Sequence, residues 1–141
     1  MTLADLVAEF ITSRLSGGLV LGEPDVTSAM LKAVRLFAGY TALTHFAAQV
    51  PSVTPTLAQI TTAVILTPSE WAIIQPLFNA YADHENALRL EASRGLGLDV
   101  FGRSVSELAG DIRQLEMDLP RKAFYQSIVS VGNLDIYADP A

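Results

Sequence analysis

The sequence predicts a mainly α-helical fold: a compact bundle of about four to five helices with a short β hairpin or strand insertion and an extended C-terminal arm. Two observations lead to this prediction. Apolar residues recur at steps of three and four over several long segments, as they do along one side of a helix. A threonine or serine followed three residues later by an acid, typical of a helix start, opens three of these segments. We assign residues 1–131 to one helical domain and residues 132–141 to the arm.

The first two helices are predicted over residues 2–15 and residues 25–49. Thr2 is the expected N-cap of the first helix, with Asp5 as the matching acid. Glycines and a proline in SGGLVLGEP break the pattern between the two. The second helix begins at an aspartate cap, is rich in alanine, and is ended by Pro51.

The longest helix is predicted over residues 67–94. It follows residues 57–66, LAQITTAVIL, which are rich in β-branched residues and therefore predict a strand or hairpin arm. A capping box between its first threonine and Glu70 starts the helix, and its length is about 40 Å. Pro76 is expected to kink or divide it, because proline removes a helical hydrogen bond. The core or interface side of this helix comprises Trp71, Ile74, Phe78, Tyr81 and Leu88.

A glycine-punctuated loop at residues 95–103 precedes the fourth helix. Ser104 and Glu107 form its predicted capping box. Pro120 is expected to stop or restart the helix, and residues 121–131 continue as one more helical segment. The residues expected to point inward are Leu108, Ile112, Leu115 and Leu119, followed by Ala123, Phe124, Ile128 and Val131. The residues beyond have no periodic pattern, which is why we predict an arm there.

Composition favours a soluble protein whose surface is partly covered by other protein. Of the 141 residues, 50% are hydrophobic and only 17% are charged, whereas about 25% is usual for a soluble domain. Between Arg35 and Asp83 the only charged residue is Glu70. Core and subunit interface both explain this stretch; a membrane segment explains it less well, because no apolar run reaches about 20 residues. The net charge of −6 argues against nonspecific binding to nucleic-acid backbones, and without cysteine there is no thiolate chemistry.

Few residues suggest catalysis. Asp83, His84 and Glu85 are consecutive, so on a helix they point about 100° apart and converge on one ion only with help from elsewhere. His45, the other histidine, lies in an apolar stretch and is more typical of a core or interface residue. No serine has a His–Asp accompaniment at a recognised spacing. We therefore predict no enzyme activity, no catalytic or metal-binding residue, and no cofactor.

An acidic ridge is predicted on the fourth helix. At 100° per residue, four polar residues fall within about 40° to 60° of one another, beside the apolar side of the helix. A solvated face explains them. A more specific hypothesis is that they line a channel and repel the phosphates of a DNA duplex that passes through it. The ridge consists of Glu107, Asp111, Gln114 and Asp118.

Three segments resemble the head–tail connector proteins of tailed bacteriophages, also called adaptor, head-completion or neck proteins. They are AVRLFAGYT at residues 33–41, LTPSEWAIIQPLFNAY at residues 66–81, and LEASRGLGLDVFGRSVSE at residues 90–107. The likeness spans residues 25–131.

The resemblance implies a structural virion protein, made in the host cytoplasm and located in the neck at the head–tail junction. Its copies form a ring, commonly a dodecamer, docked beneath the portal protein and joining the capsid to tail or neck proteins. DNA passes through the channel without sequence-specific binding, and no membrane is involved. In such proteins a C-terminal arm often reaches into the portal. Its counterpart here contains Leu134, Ile136, Tyr137 and Pro140.

A second hypothesis is a small-molecule-binding helical domain. In this alternative Trp71, Phe78, Tyr81 and His45 line an apolar pocket between helices instead of a closed core.

Overall fold

The computed structural model describes residues 1–45, 56–94 and 103–126. This part is 78% helical and contains four α-helices and no strand, which confirms the predicted mainly α class. The predicted loop at residues 95–103, apart from its last residue, and the predicted arm at residues 132–141 lie outside the described residues. The helices are α1 (Leu3–Arg14), α2 (Glu23–Ala38), α3 (Pro68–Arg94) and α4 (Val105–Gln126).

All four helices start in the same way. A carboxylate three residues into the helix accepts a hydrogen bond from the backbone N–H of the capping residue, which satisfies a donor left over at the helix end. The three capping boxes predicted from the sequence are confirmed. At α2 the prediction was wrong in register, because Gly22 is the cap and Asp25 is the acid that bonds back to it. The N···O distances are 2.8 Å for Thr2–Asp5, 3.1 Å for Gly22–Asp25, 2.8 Å for Thr67–Glu70 and 3.3 Å for Ser104–Glu107.

The ends of the helices differ more from expectation. Helix α2 stops at Ala38 instead of continuing to residue 49: its last turn tightens to i→i−3 hydrogen bonds, from the Gly39 N–H to Leu36 and from the Tyr40 N–H to Phe37. Helix α4 is continuous through Pro120, where we predicted a stop or restart. Helix α3 is likewise one helix through Pro76 and is not divided there.

The strand or hairpin predicted at residues 57–66 was wrong. The segment forms a short 3-10 helix, Leu57–Gln59, and then a turn, and its ladder pairing is limited to one antiparallel bridge between Ile65 and Thr2. The carbonyl of Val64 accepts the N–H of Leu3 at 3.0 Å, one of the free donors at the start of α1. The β-branched residues therefore cover the end of a helix instead of pairing with another strand.

The core lies where α3 packs against α2 and α4, with α1 on α2. The rings of Phe10 and Phe78 meet edge to face with centroids 4.8 Å apart, which ties α1 to α3 as well. Two residues predicted to point inward are instead exposed, Leu88 by 41% and Phe124 by 66%. Trp71 packs against the core but is only half-buried. The largest fully buried apolar side chains include Phe37, Phe78, Leu3, Met30, Leu43, Ile60, Ile74 and Leu77.

Glu70 is the one buried charged residue in the described part of the chain, with 1% of its surface exposed. Its Oε1 accepts the backbone N–H of Thr44 at 2.7 Å and the Thr44 hydroxyl at 2.9 Å. Its Oε2 accepts the Thr67 N–H. One carboxylate thus joins the chain that follows α2 to the start of α3.

Candidate functional site

A polar cleft lies between α2, α3 and α4 and has a volume of about 370 Å³. Small side chains, Ala29 on α2 and Ala109 on α4, stand where larger ones would fill this space. Residues three and four apart on α2 share one face and line the cleft together. The polar residues around it are Asp25, Ser28 and Lys32 from α2, and Tyr81, His84 and Glu85 from α3.

The two carboxylates of the cleft are held by one guanidinium. Arg89 contacts Asp25 at 2.6 Å and Glu85 at 3.6 Å. The second contact is the i,i+4 pair that the sequence indicates on this helix. The two acids therefore share one cationic partner beside the cleft, and the three groups together keep a net charge of −1.

Tyr81 contacts Lys32, the lysine that lines the cleft. The Lys32 Nζ lies over the Tyr81 ring, 4.3 Å from its centroid, in a cation–π contact. The Tyr81 hydroxyl donates to Glu116 Oε1 at 2.5 Å. Burial, and then the hydrogen bond to the Glu116 carboxylate, raise the pKa of Tyr81 well above its ordinary value of 10.0. The phenol is therefore neutral at physiological pH, and its ring is fixed at both ends.

The run Asp83, His84 and Glu85 does not form a single site. Asp83 points to α1 and forms an ion pair with Arg14 at 2.9 Å. His84 and Glu85 line the cleft on the other side of α3. Among the described residues, no group of three acidic or histidine side chains is placed to hold a metal ion.

The four residues of the acidic ridge lie on the outer side of α4, and much of their polarity is used within the chain. Glu107 belongs to the capping box of the helix. Arg103 contacts Asp111 at 2.6 Å, and this hydrogen bond raises the pKa of the guanidinium. The Gln114 amide donates to Asp118 at 3.3 Å. An arginine thus balances one of the three carboxylates of the ridge.

The apolar pocket of the second hypothesis is not assembled as expected. Trp71 and Phe78 border a different cleft of about 260 Å³ between α1 and α3, where Arg14 lies over the Phe10 ring. Tyr81 lines the polar cleft instead. His45 is exposed and lines neither of these two clefts.

The second half of α4 presents large apolar side chains to solvent. Met117 is 69% exposed and Tyr125 is 64% exposed. The rings of Phe124 and Tyr125 meet edge to face with centroids 5.9 Å apart. We call Met117, Phe124 and Tyr125 the apolar patch of α4. The predicted portal-binding residues, Leu134, Ile136, Tyr137 and Pro140, lie outside the described residues.

Comparisons with family models, curated proteins and solved structures found no match to this chain. The resemblance to connector proteins therefore stays a prediction. None of the helices in the described ranges is both long enough and apolar enough to cross a membrane.

Sequence reasoning missed the polar cleft, although part of its pattern is visible in the sequence. Asp25, Ser28 and Lys32 are spaced by three and four, and His84 and Glu85 follow Tyr81 by three and four residues. Each set indicates a polar helix face. The sequence of neither helix shows that these two faces meet, because their contact depends on how α2 and α3 pack together.

Proposed function

We propose that the protein is a structural subunit of a homo-oligomeric ring, commonly of twelve copies, at the head–tail junction of a tailed-bacteriophage particle. In this role it joins the portal to tail or neck proteins, and DNA passes through the centre of the ring. The observation that carries the proposal is the apolar patch of α4. Exposed aromatic and methionine side chains along one helix are typical of a surface that binds protein.

The positions of the ridge and the patch on α4 suit a ring. Met117 and Phe124 are seven residues apart and so lie on the same side of the helix. That side is about 100° away from the acidic ridge. In a ring, one side of each copy can contact the next copy while a neighbouring side faces the channel. This arrangement puts Met117 and Phe124 at the subunit contact and the ridge toward the DNA, with Tyr125 on the ridge side of the helix.

The charge of the ridge fits weak repulsion of a duplex. Glu107 and Asp118 have no cationic partner in the described ranges, whereas Asp111 is paired with Arg103. A surface that grips DNA carries clustered lysine and arginine instead. A mildly acidic surface lets DNA slide past, which is what passage through a connector requires.

The proposal is tested by isolating tagged protein from its native host and measuring the mass and subunit stoichiometry of the complex. We expect a ring with a fixed number of copies bound to a larger ring-forming partner. Met117→Glu is expected to abolish the ring, because it places a charge in the subunit contact. Leu57→Glu makes the same type of change at a residue that is 63% exposed and lies outside α4, in the short 3-10 helix, and should leave the ring intact.

Unchanged circular dichroism of both variants establishes that they fold. A wild-type protein recovered only as a monomer would contradict the proposal, as would a normal ring from Met117→Glu. Deleting residues 132–141 separately tests the arm, and we expect a folded protein that fails to join its partner.

A further inference from the structure

We propose that the polar cleft between α2, α3 and α4 binds a small carboxylate with an apolar body, and that Lys32 is the residue that recognises its negative charge. The site is independent of ring formation. Three features support it: an unused cation, a cavity of suitable size, and a charge balance that favours a monoanion.

Lys32 is the cation available to a ligand. Its ammonium group has three hydrogen-bond donors, and within the described residues it lies over the Tyr81 ring. Arg89, the other cation beside the cleft, already contacts Asp25 and Glu85. An aromatic ring attracts the ammonium but accepts none of its hydrogen bonds at full strength, so a carboxylate that enters the cleft gains a partner with free donors.

The size and lining of the cleft suit a compact ligand with an apolar part. Its volume of about 370 Å³ is within the usual range for small-molecule sites. Ala29, Ala109 and Ile112 provide apolar surface. Ser28 and His84 stand at the same cleft and can each hydrogen-bond a second ligand atom. Such a combination of apolar walls with a few polar groups is typical of ligand sites.

The charges of the cleft favour one negative charge on the ligand over two. Asp25 and Glu85 line the cleft, so a doubly charged phosphate would bring its second charge close to two carboxylates. Arg89 compensates these acids but is itself shared between them. Asp25, Glu85, Arg89 and Lys32 sum to zero, so a monocarboxylate adds one negative charge to the cleft whereas a phosphate adds nearly two, and the Arg89 contacts stay in place.

The probes are benzoate, benzamide and phenyl phosphate, added to the full-length protein while backbone amide shifts are recorded by NMR. Benzamide has the shape of benzoate without its charge, and phenyl phosphate carries more charge than benzoate at pH 7. We expect saturable benzoate shifts centred on Lys32 and His84, with both other probes at least about tenfold weaker. No saturable benzoate binding at any soluble concentration would overturn the proposal. Phenyl phosphate binding as tightly as benzoate would overturn the preference for a monoanion and with it the proposal.

Two variants test the assignment of Lys32. Lys32→Met keeps a long side chain over Tyr81 without the charge, and we expect benzoate affinity to fall at least about tenfold. Lys122→Met removes the chain's other lysine, which is exposed on α4 outside the cleft, and should bind as wild type. Equal benzoate affinity in the two variants would overturn the role of Lys32. Ala109→Leu fills the cleft without touching a charge, and retained wild-type affinity in this variant would place the binding elsewhere.

Discussion

Replacing Glu70 with glutamine removes a buried charge while keeping the size of the side chain. The carboxylate accepts three hydrogen bonds, two from Thr44 at 2.7 and 2.9 Å and one from the Thr67 N–H at 2.8 Å. Glutamine has one carbonyl oxygen, so in either orientation of the amide its NH₂ group faces a donor. Hydrogen bonds to a charged group contribute about 1.5–3 kcal/mol, and a buried unsatisfied donor costs about 1–3 kcal/mol. We expect the free energy of unfolding to fall by about 2–3 kcal/mol, and not more, because the Thr44 side chain is exposed and water can reach it.

Urea unfolding followed by far-ultraviolet circular dichroism measures this loss. Glu107→Gln is the matched control, because Glu107 has the same place in the capping box of α4 but is exposed. Glutamine also serves in a capping box, so its cost is expected to stay below about 0.5 kcal/mol. If the two variants lost equal stability, burial of Glu70 would not be the source of its contribution and the reasoning would fail.

Three further predictions concern packing and protonation. Tyr81→Phe loses the bond to Glu116 and should lower the free energy of unfolding by about 1 kcal/mol at neutral pH. The pKa of Tyr81 is raised in the folded protein, so the tyrosine stabilises the fold fully below its unfolded pKa of 10.0 and loses this effect as the pH rises toward the folded pKa. Thermal unfolding should therefore show a smaller loss of stability at alkaline pH in Tyr81→Phe than in the wild type. Ile60 is 1% exposed, so Ile60→Ala should lower the free energy of unfolding in urea by about 2–4 kcal/mol. Ile65 is 41% exposed, and Ile65→Ala should lower it by less than about 1 kcal/mol. Similar losses in the two variants would mean that Ile60 does not anchor residues 57–66. Pro76→Ala restores a helical N–H on the exposed side of α3 and should raise the melting temperature; a fall would show that the proline is needed there.

The helix starts could be predicted because everything they need lies within three residues. A threonine or serine cap and the acid that bonds back to it are local, so the sequence alone identifies the beginnings of α1, α3 and α4. Gly39 marks the end of α2 just as locally, but the alanines that follow it also suit a helix. A distant contact also separates the two cases, because the Thr44 N–H donates to Glu70 at the start of α3 and not to a carbonyl of a continued α2.

Residues 57–66 show what local reasoning misses. Their β-branched composition suits an extended chain, and the segment indeed leaves carbonyl groups free to accept hydrogen bonds. The donors come from the first turn of α1, more than fifty residues earlier in the chain. No local pattern distinguishes that partner from a second strand. Periodicity fails similarly at Leu88 and Phe124, since it identifies an apolar side but not whether another element covers it.

The proposed ligand cleft and the proposed subunit contact lie on different sides of α4. Ala109 and Ile112 line the polar cleft, whereas Met117 lies roughly 80° around the helix from Ala109 and roughly 140° from Ile112, on the outer side. A charge at Met117 therefore disturbs the proposed subunit contact without entering the cleft, and Lys32→Met changes the cleft without touching that contact. We expect Met117→Glu to keep wild-type benzoate shifts while it loses the ring, and Lys32→Met to keep the ring while it loses the shifts. If either variant lost both properties, the cleft and the assembly surface would be coupled, and a ligand in the cleft would then act on assembly through α4.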